Sequence, residues 1–274
     1  MTVELALTDA LVAGGKGAAI LAAGFWAGMI NVVVGSGTLV SFPVLVLCGY
    51  SPLVANISNN IGLVGGGLSG TIGYRSELRE NAALARVLLP ASLAGGIAGA
   101  LLLLVLPDEA FGTVVPALIA VGLLMVVAGP FVQRAAARRA AAAPEGAGTG
   151  TAAPPARRLG LLSGIAVVGV YGGYFGAAQG ILVVGLLSIL TAESLQSVNA
   201  VKNLLVTGVN LVAAVVFMAV AWGSIDWPAV ALIAVGATLG GMVGARVGRR
   251  LPPRLLRALI VVIGAVAIVN LVFF

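Results

Sequence analysis

The chain has no histidine and only one cysteine, Cys48. Without histidine there is neither an imidazole metal site nor a histidine proton relay. A lone thiol cannot close an intramolecular disulfide or build a zinc–thiolate cluster. Charge is also scarce: 9% of the 274 residues are charged, against roughly 25% in soluble domains. Nine acids and fifteen bases cannot clothe a water-soluble protein of this length. Aromatic residues make up 5%, and no nucleophile–base pair stands out, since Glu193, at a segment edge, is the only acid associated with the later apolar runs. An enzyme is not expected, nor is a cofactor or a metal.

Apolar character and glycine dominate instead. Hydrophobic residues are 60% of the chain and 39 residues are glycine, a combination that suits tightly packed membrane helices whose backbones approach across small side chains. The chain therefore reads as an all-α polytopic membrane protein. Glu4 and Asp9 precede the first base, Lys16. That is the reverse of a cationic leader, so the first apolar segment is expected to stay in the mature chain.

Apolar runs fall at about 17–34, 36–50, 54–74, 84–106 and 111–132, and again at about 159–176, 178–191, 196–221, 228–248 and 253–273. Between them lies "QRAAARRAAAAPEGAGTGTAAPPARR", an Ala/Gly/Pro-rich cationic linker without apolar periodicity. The expected domains are a first membrane repeat (1–132), a flexible cytoplasmic linker (133–158) and a second repeat (159–274). At an offset of 143 the halves pair Gly37 with Gly180, Asn56 with Asn199, Asn60 with Asn203 and Gly65 with Gly208. At 145, "GGIAGA" pairs with "GGMVGA" and Leu106-Pro107 with Leu251-Pro252. Internal duplication of this kind is characteristic of transporter folds.

Thirteen of the fifteen bases lie in three places. These are Arg75, Arg79 and Arg86; the linker arginines Arg134, Arg138, Arg139, Arg157 and Arg158; and Arg246, Arg249, Arg250, Arg254 and Arg257. The positive-inside rule puts all three in the cytoplasm, and the loops holding Asp108, Glu109 and Asp226 outside. The halves must then be inverted relative to one another, with both termini external. Two layouts satisfy this: five spans per half, or a re-entrant hairpin followed by three, giving about 8–10 membrane segments. The second segment of each half, at 14 or 15 residues, covers only about 21–23 Å of a hydrocarbon core of roughly 30 Å. Short or broken segments at matching positions in inverted halves point to a binding site at the membrane midplane.

The third segment of each half carries the amides. Asn56 and Asn60 are four residues apart, as are Asn199 and Asn203, so each pair projects from one helical face. Thr207 and Asn210 extend the second stripe. Amides donate to an oxyanion and sit poorly against lipid, which makes these residues candidate ligands; helix-to-helix bonding is the competing role. Lys202, whose counterpart is the neutral Asn59, is the one base inside a membrane segment apart from the boundary residue Lys16. Burying it costs a few kcal/mol, which argues for function. The alternative is that its stem reaches back to the surface, towards Glu193. Gly35, Ser36, Gly37 and Thr38, with "GAAQG" opposite, are candidate helix breaks. A break leaves N–H groups unpaired at the start of the next half-helix, where the dipole also favours an anion. Asn31, Ser36, Thr38, Tyr174 and Gln179 could add side-chain bonds there, beside Gly180. Close helix packing of small residues is the plainer explanation for the glycines.

A glycine-rich break running into an apolar, proline-containing stretch ("GSGTLVSFPVLVL"), then a Pro turn and a polar-headed helix ("YSPLVANISNNIG"), all duplicated, resembles the TauE/SafE family of sulfite exporters, also called the 4-toluene sulfonate uptake permeases. The resemblance spans nearly the whole chain except the linker. It implies secondary transport of small sulfur-containing anions such as sulfite or sulfonates across a bacterial cytoplasmic membrane. Family members often carry a third glycine in the first break, where this chain has Thr38, and "GAAQG" departs further. An anion channel is the alternative function, as is carriage of another small carboxylate or oxyanion, although rings of like charge common in channels are missing. The expected partners are a small anionic solute and the lipid bilayer, not nucleic acid; a homo-oligomer is left open.

Overall fold

The computed structural model describes residues 2–142, 155–191, 193–247 and 253–273. Among these the fold is all helical. The order is α1 (Thr2–Val33), α2 (Thr38–Leu47), α3 (Pro52–Gly73), α4 (Arg75–Glu80), α5 (Ala82–Val105), α6 (Asp108–Ala142), α7 (Pro155–Tyr174), α8 (Gln179–Leu190), α9 (Leu195–Val220), a 3-10 turn (Trp222–Ser224), α10 (Trp227–Val247) and α11 (Pro253–Phe273). Five stretches are long and apolar enough to cross a membrane: Gly14–Val33, Ala82–Val105, Glu109–Phe131, Leu195–Val220 and Trp227–Arg246. With ten and twelve residues, α2 and α8 rise only about 15 and 18 Å and fall well short of a bilayer core.

Ten of the helices match the apolar runs of the sequence, and α4 is an addition between the third and fourth. The stretch 133–158 differs from the expected linker. α6 continues through its alanine-rich start to Ala142, because alanine and arginine are strong helix formers. α7 opens at Pro155, a residue pre-set for the first helical position. The rest of the expected linker, Arg249, Arg250 and the Leu251-Pro252 pair lie outside the described residues.

Helix packing follows one exchange rule. α1 packs on α10 as α5 does on α7; α3 packs on α10 as α9 does on α5; α2 meets α11 as α8 meets α6. α3 also meets α9, and α6 meets α11. Swapping α1, α2, α3, α5 and α6 for α7, α8, α9, α10 and α11 turns this set of contacts into itself. Small residues set the closest approaches, where packing and not water exclusion drives association. A Cβ on Gly24 would lie 2.9 Å from the Ile233 Cα, and one on Gly236 would strike the Leu21 carbonyl. Gly95 and Gly99 of α5 meet Ala166 and Val170 of α7 in the same way. These glycine-lined pairs clamp the first helix of each half against the fourth helix of the other. The ends of α1 and α7 are largely buried.

Candidate functional site

Both first helices end on a left-handed glycine. Gly35 has φ +88°, and its N–H turns back to the Ile30 carbonyl at 3.0 Å. Gly176, with φ +74°, does the same to Tyr171 at 3.1 Å. That conformation suits glycine because it has no Cβ to meet the following carbonyl. Helix ends and caps therefore align the two breaks at an offset of 141, while α3 and α9 begin 143 apart and α5 and α10 begin 145 apart. The two extra residues of α8 account for the first change. In the fold Gly37 thus corresponds to Ala178, not to Gly180 as the sequence alignment suggested. Ala178 also has a left-handed φ of 60°.

The breaks touch each other. The Gly180 N–H donates to the Gly35 carbonyl at 3.0 Å. A Cβ on Gly35 would sit 2.6 Å from the Gly180 Cα, so these two glycines are what lets the backbones meet. The half-helices α2 and α8 start here, and neither has a side-chain cap on its first turn. Their first turns close on the breaks themselves: Leu39 and Val40 donate to the Ser36 and Gly37 carbonyls, and Gln179 and Ile181 to those of Gly176 and Ala178.

The third helix of each half reaches the break of the other half. Asn56 of α3 donates through Nδ2 to the Tyr174 carbonyl at 3.0 Å, at the end of α7. Lys202 of α9 is 1% exposed and donates through Nζ to the carbonyls of Asn31 at 3.1 Å and Val32 at 2.9 Å, at the end of α1. Lysine at a helix C-terminus completes orphan carbonyls and suits the negative end of the dipole. The surface-reaching alternative is thereby excluded: the Lys202 ammonium points inward, and burial raises the half-buried Glu193 carboxyl above the usual glutamate range.

The remaining sequence candidates sort by what they touch. Asn59 is buried and accepts from the Ser41 hydroxyl of α2. Asn199 is only half-buried and donates to Leu195 of its own helix, so it is not brought to the centre. Tyr174 turns its ring against Phe111 at 5.6 Å and contributes its carbonyl, not its phenol, to the contact with Asn56. Thr38 is 8% exposed at the first turn of α2, and Gly37 is pressed on Ala27 and Asn31 of α1. Asn210, part of the second polar stripe, accepts from Asn60 Nδ2 at 3.4 Å across α3 and α9.

Among the described residues, four buried ones have side-chain atoms with no hydrogen-bond partner: Ser36 Oγ, Asn60 Oδ1, both amide atoms of Gln179, and Asn203 Nδ2. One comes from each break and one from each third helix. Asn60 and Asn203 are equivalents at the 143 offset, one turn past Asn56 and one residue past Lys202. Gln179 lies back on Gly172, where a Cβ would collide with its amide. Buried polar atoms are normally bonded, and leaving one unbonded costs about 1–3 kcal/mol. Turning both amides of the Asn60–Asn210 pair by 180° keeps their bond and presents the Asn60 Nδ2 instead of its oxygen. The sequence marked all four residues but could not separate them from their bonded neighbours.

The model of the sulfite exporter TauE/SafE family matches residues 20–271. The chain belongs to that family. It is 25% identical over 248 residues to the "Probable membrane transporter protein YfcA" of Escherichia coli K12, covering 90% of this chain and 86% of the relative. It is also 25% identical over 253 residues to the "Probable membrane transporter protein ORF9" of a Sinorhizobium species, covering 92% and 90%. No solved structure gives a significant match. The protein is a multi-pass membrane transporter of this family.

Proposed function

We propose that the protein is a secondary transporter of a small sulfur oxyanion, such as sulfite or a sulfonate, bound where the two helix breaks meet. The observation that carries this reading is the set of unpartnered buried polar atoms on Ser36, Asn60, Gln179 and Asn203. Hydroxyl and amide donors of this kind can surround an oxyanion, and α2 and α8 turn the positive ends of their dipoles towards the breaks. The family description names sulfite, which fits such a donor set.

Residues 1–132 and 159–274 act as two inverted repeats joined through a cytoplasmic connection within 133–158, with both termini external. The exchange rule in helix packing supports the repeat, and the arginines of α4, the start of α5 and the end of α10 support the inversion. Rocking one half against the other would open the centre alternately to each side of a bacterial cytoplasmic membrane. The four residues are each under a tenth exposed, which favours an occluded carrier over the continuous wet path of a channel.

Sulfite uptake into proteoliposomes tests the site. Asn60→Ala with Asn203→Ala should lower flux at least tenfold while the protein still inserts and purifies. Normal saturating flux in that double variant would contradict the assignment.

A further inference from the structure

We propose that Lys202 supplies the positive charge of the central site and that this single charge matches the site to singly charged anions. This rests on the anion-carrier reading above and adds the charge of the substrate to it. Lys202 is 1% exposed, and its recorded partners are two backbone carbonyls, Asn31 O and Val32 O. Those dipoles and the C-terminal end of α1 stabilise an ammonium without cancelling its unit charge. The acids whose side chains are described lie at helix ends and in loops: Glu77 and Glu80 in α4, Glu109 at the start of α6, Glu193 before α9 and Asp226 before α10. No carboxylate pairs with Lys202 among the described residues, and the equivalent position in the first half is the neutral Asn59.

The Lys202 ammonium lies at the end of α1 that leads into the first break. Asn203, with its unpartnered Nδ2, is the next residue in the chain. The carbonyl of Asn31 takes the lysine's bond, while a Cβ added at Gly37 of the first break would lie 3.0 Å from the Asn31 Cβ. Away from bulk water a unit charge is screened less than at the surface. A monoanion, such as a sulfonate or sulfite in its hydrogensulfite form, leaves the site neutral on entry. A dianion leaves one uncompensated buried negative charge and costs more dehydration, so sulfate is disfavoured against a sulfonate with similar oxygens.

Thermal-shift titrations on the purified full chain, with methanesulfonate as monoanion and sulfate as dianion, test this. The wild type should need at least tenfold more sulfate than methanesulfonate for the same rise in Tm. Lys202→Arg keeps the charge and should keep that ratio. Lys202→Gln and Lys202→Met remove it, and in whichever of them folds both anions should weaken, sulfate by the larger factor, so that the ratio rises; a role confined to tying down α1 would weaken both anions equally and leave the ratio unchanged. Equal potency of the two anions on the wild type, or an unchanged ratio in a folded neutral variant, overturns the proposal while leaving anion binding intact. If no anion, sulfite included, raises the Tm of the wild type, the anion-carrier reading fails with it.

Discussion

The two breaks do the same geometric task with unequal chemistry. The first turns on Gly35 alone, and its preceding helix is tied down by a buried ammonium. The second uses Gly176 and the left-handed Ala178, and its preceding helix is tied down by the Asn56 amide. An aromatic cluster steadies the second break as well, with Phe175 set edge-on against Phe42 at 5.2 Å and Phe111 at 6.1 Å. The Tyr171 hydroxyl adds a bond to the Ala177 carbonyl in the same turn. In the proposed reading, one backbone plan serves both breaks while the buried ammonium of Lys202 sits on a single side. In this account that inequality turns a two-fold scaffold into an anion site.

Substitutions at the two breaks should rank by how much of this plan they remove. Gly180→Val comes first: its Cβ would lie 2.5 Å from the Gly35 Cα, so the breaks must part. A loss of about 3 kcal/mol or more is expected, read as poor yield of folded protein and abolished flux. Lys202→Met is next. It strands two carbonyls at the end of α1 but also removes a costly buried charge, so about 2 kcal/mol is lost, measured as a lower Tm. Asn56→Ala cuts one neutral bond to the equivalent end of α7 and should cost about 1 kcal/mol. If it lowered Tm more than Lys202→Met, the inequality of the two ties would be wrong. Smallest and opposite in sign, Ala178→Gly relieves a left-handed alanine and should raise Tm by an amount on the order of 1 kcal/mol in stability.

Much of this plan can be read from residues alone. Apolar runs and their punctuation locate ten of the helices, because a membrane core demands length and hydropathy that leave a plain imprint. The glycine clusters at 35–37 and 176–180 mark the breaks, and the repeated asparagines mark α3 and α9. Alignment by residue identity loses the register of the breaks, because Gly37 and Gly180 match as letters while the cap glycines Gly35 and Gly176 match as backbone. The short α4 is missed because five of its six residues are polar and it follows closely on α3. The fate of Lys202 is also invisible in sequence, since its acceptors are backbone carbonyls 170 and 171 positions away, which carry no residue signature. Asn199 shows the converse: helical spacing alone placed it with Asn203, and the packing of α9 turned it to its own backbone.

The most direct test of the central claim is sulfite protection of the purified protein against thermal unfolding, compared between wild type and the Asn60→Ala/Asn203→Ala double variant. A ligand at 100 times its Kd stabilises the fold by about 2.7 kcal/mol, which is several degrees for a chain this size. The account predicts a clear, saturable rise in Tm for the wild type and loss of most of it in the variant. An equal rise in both proteins would contradict it.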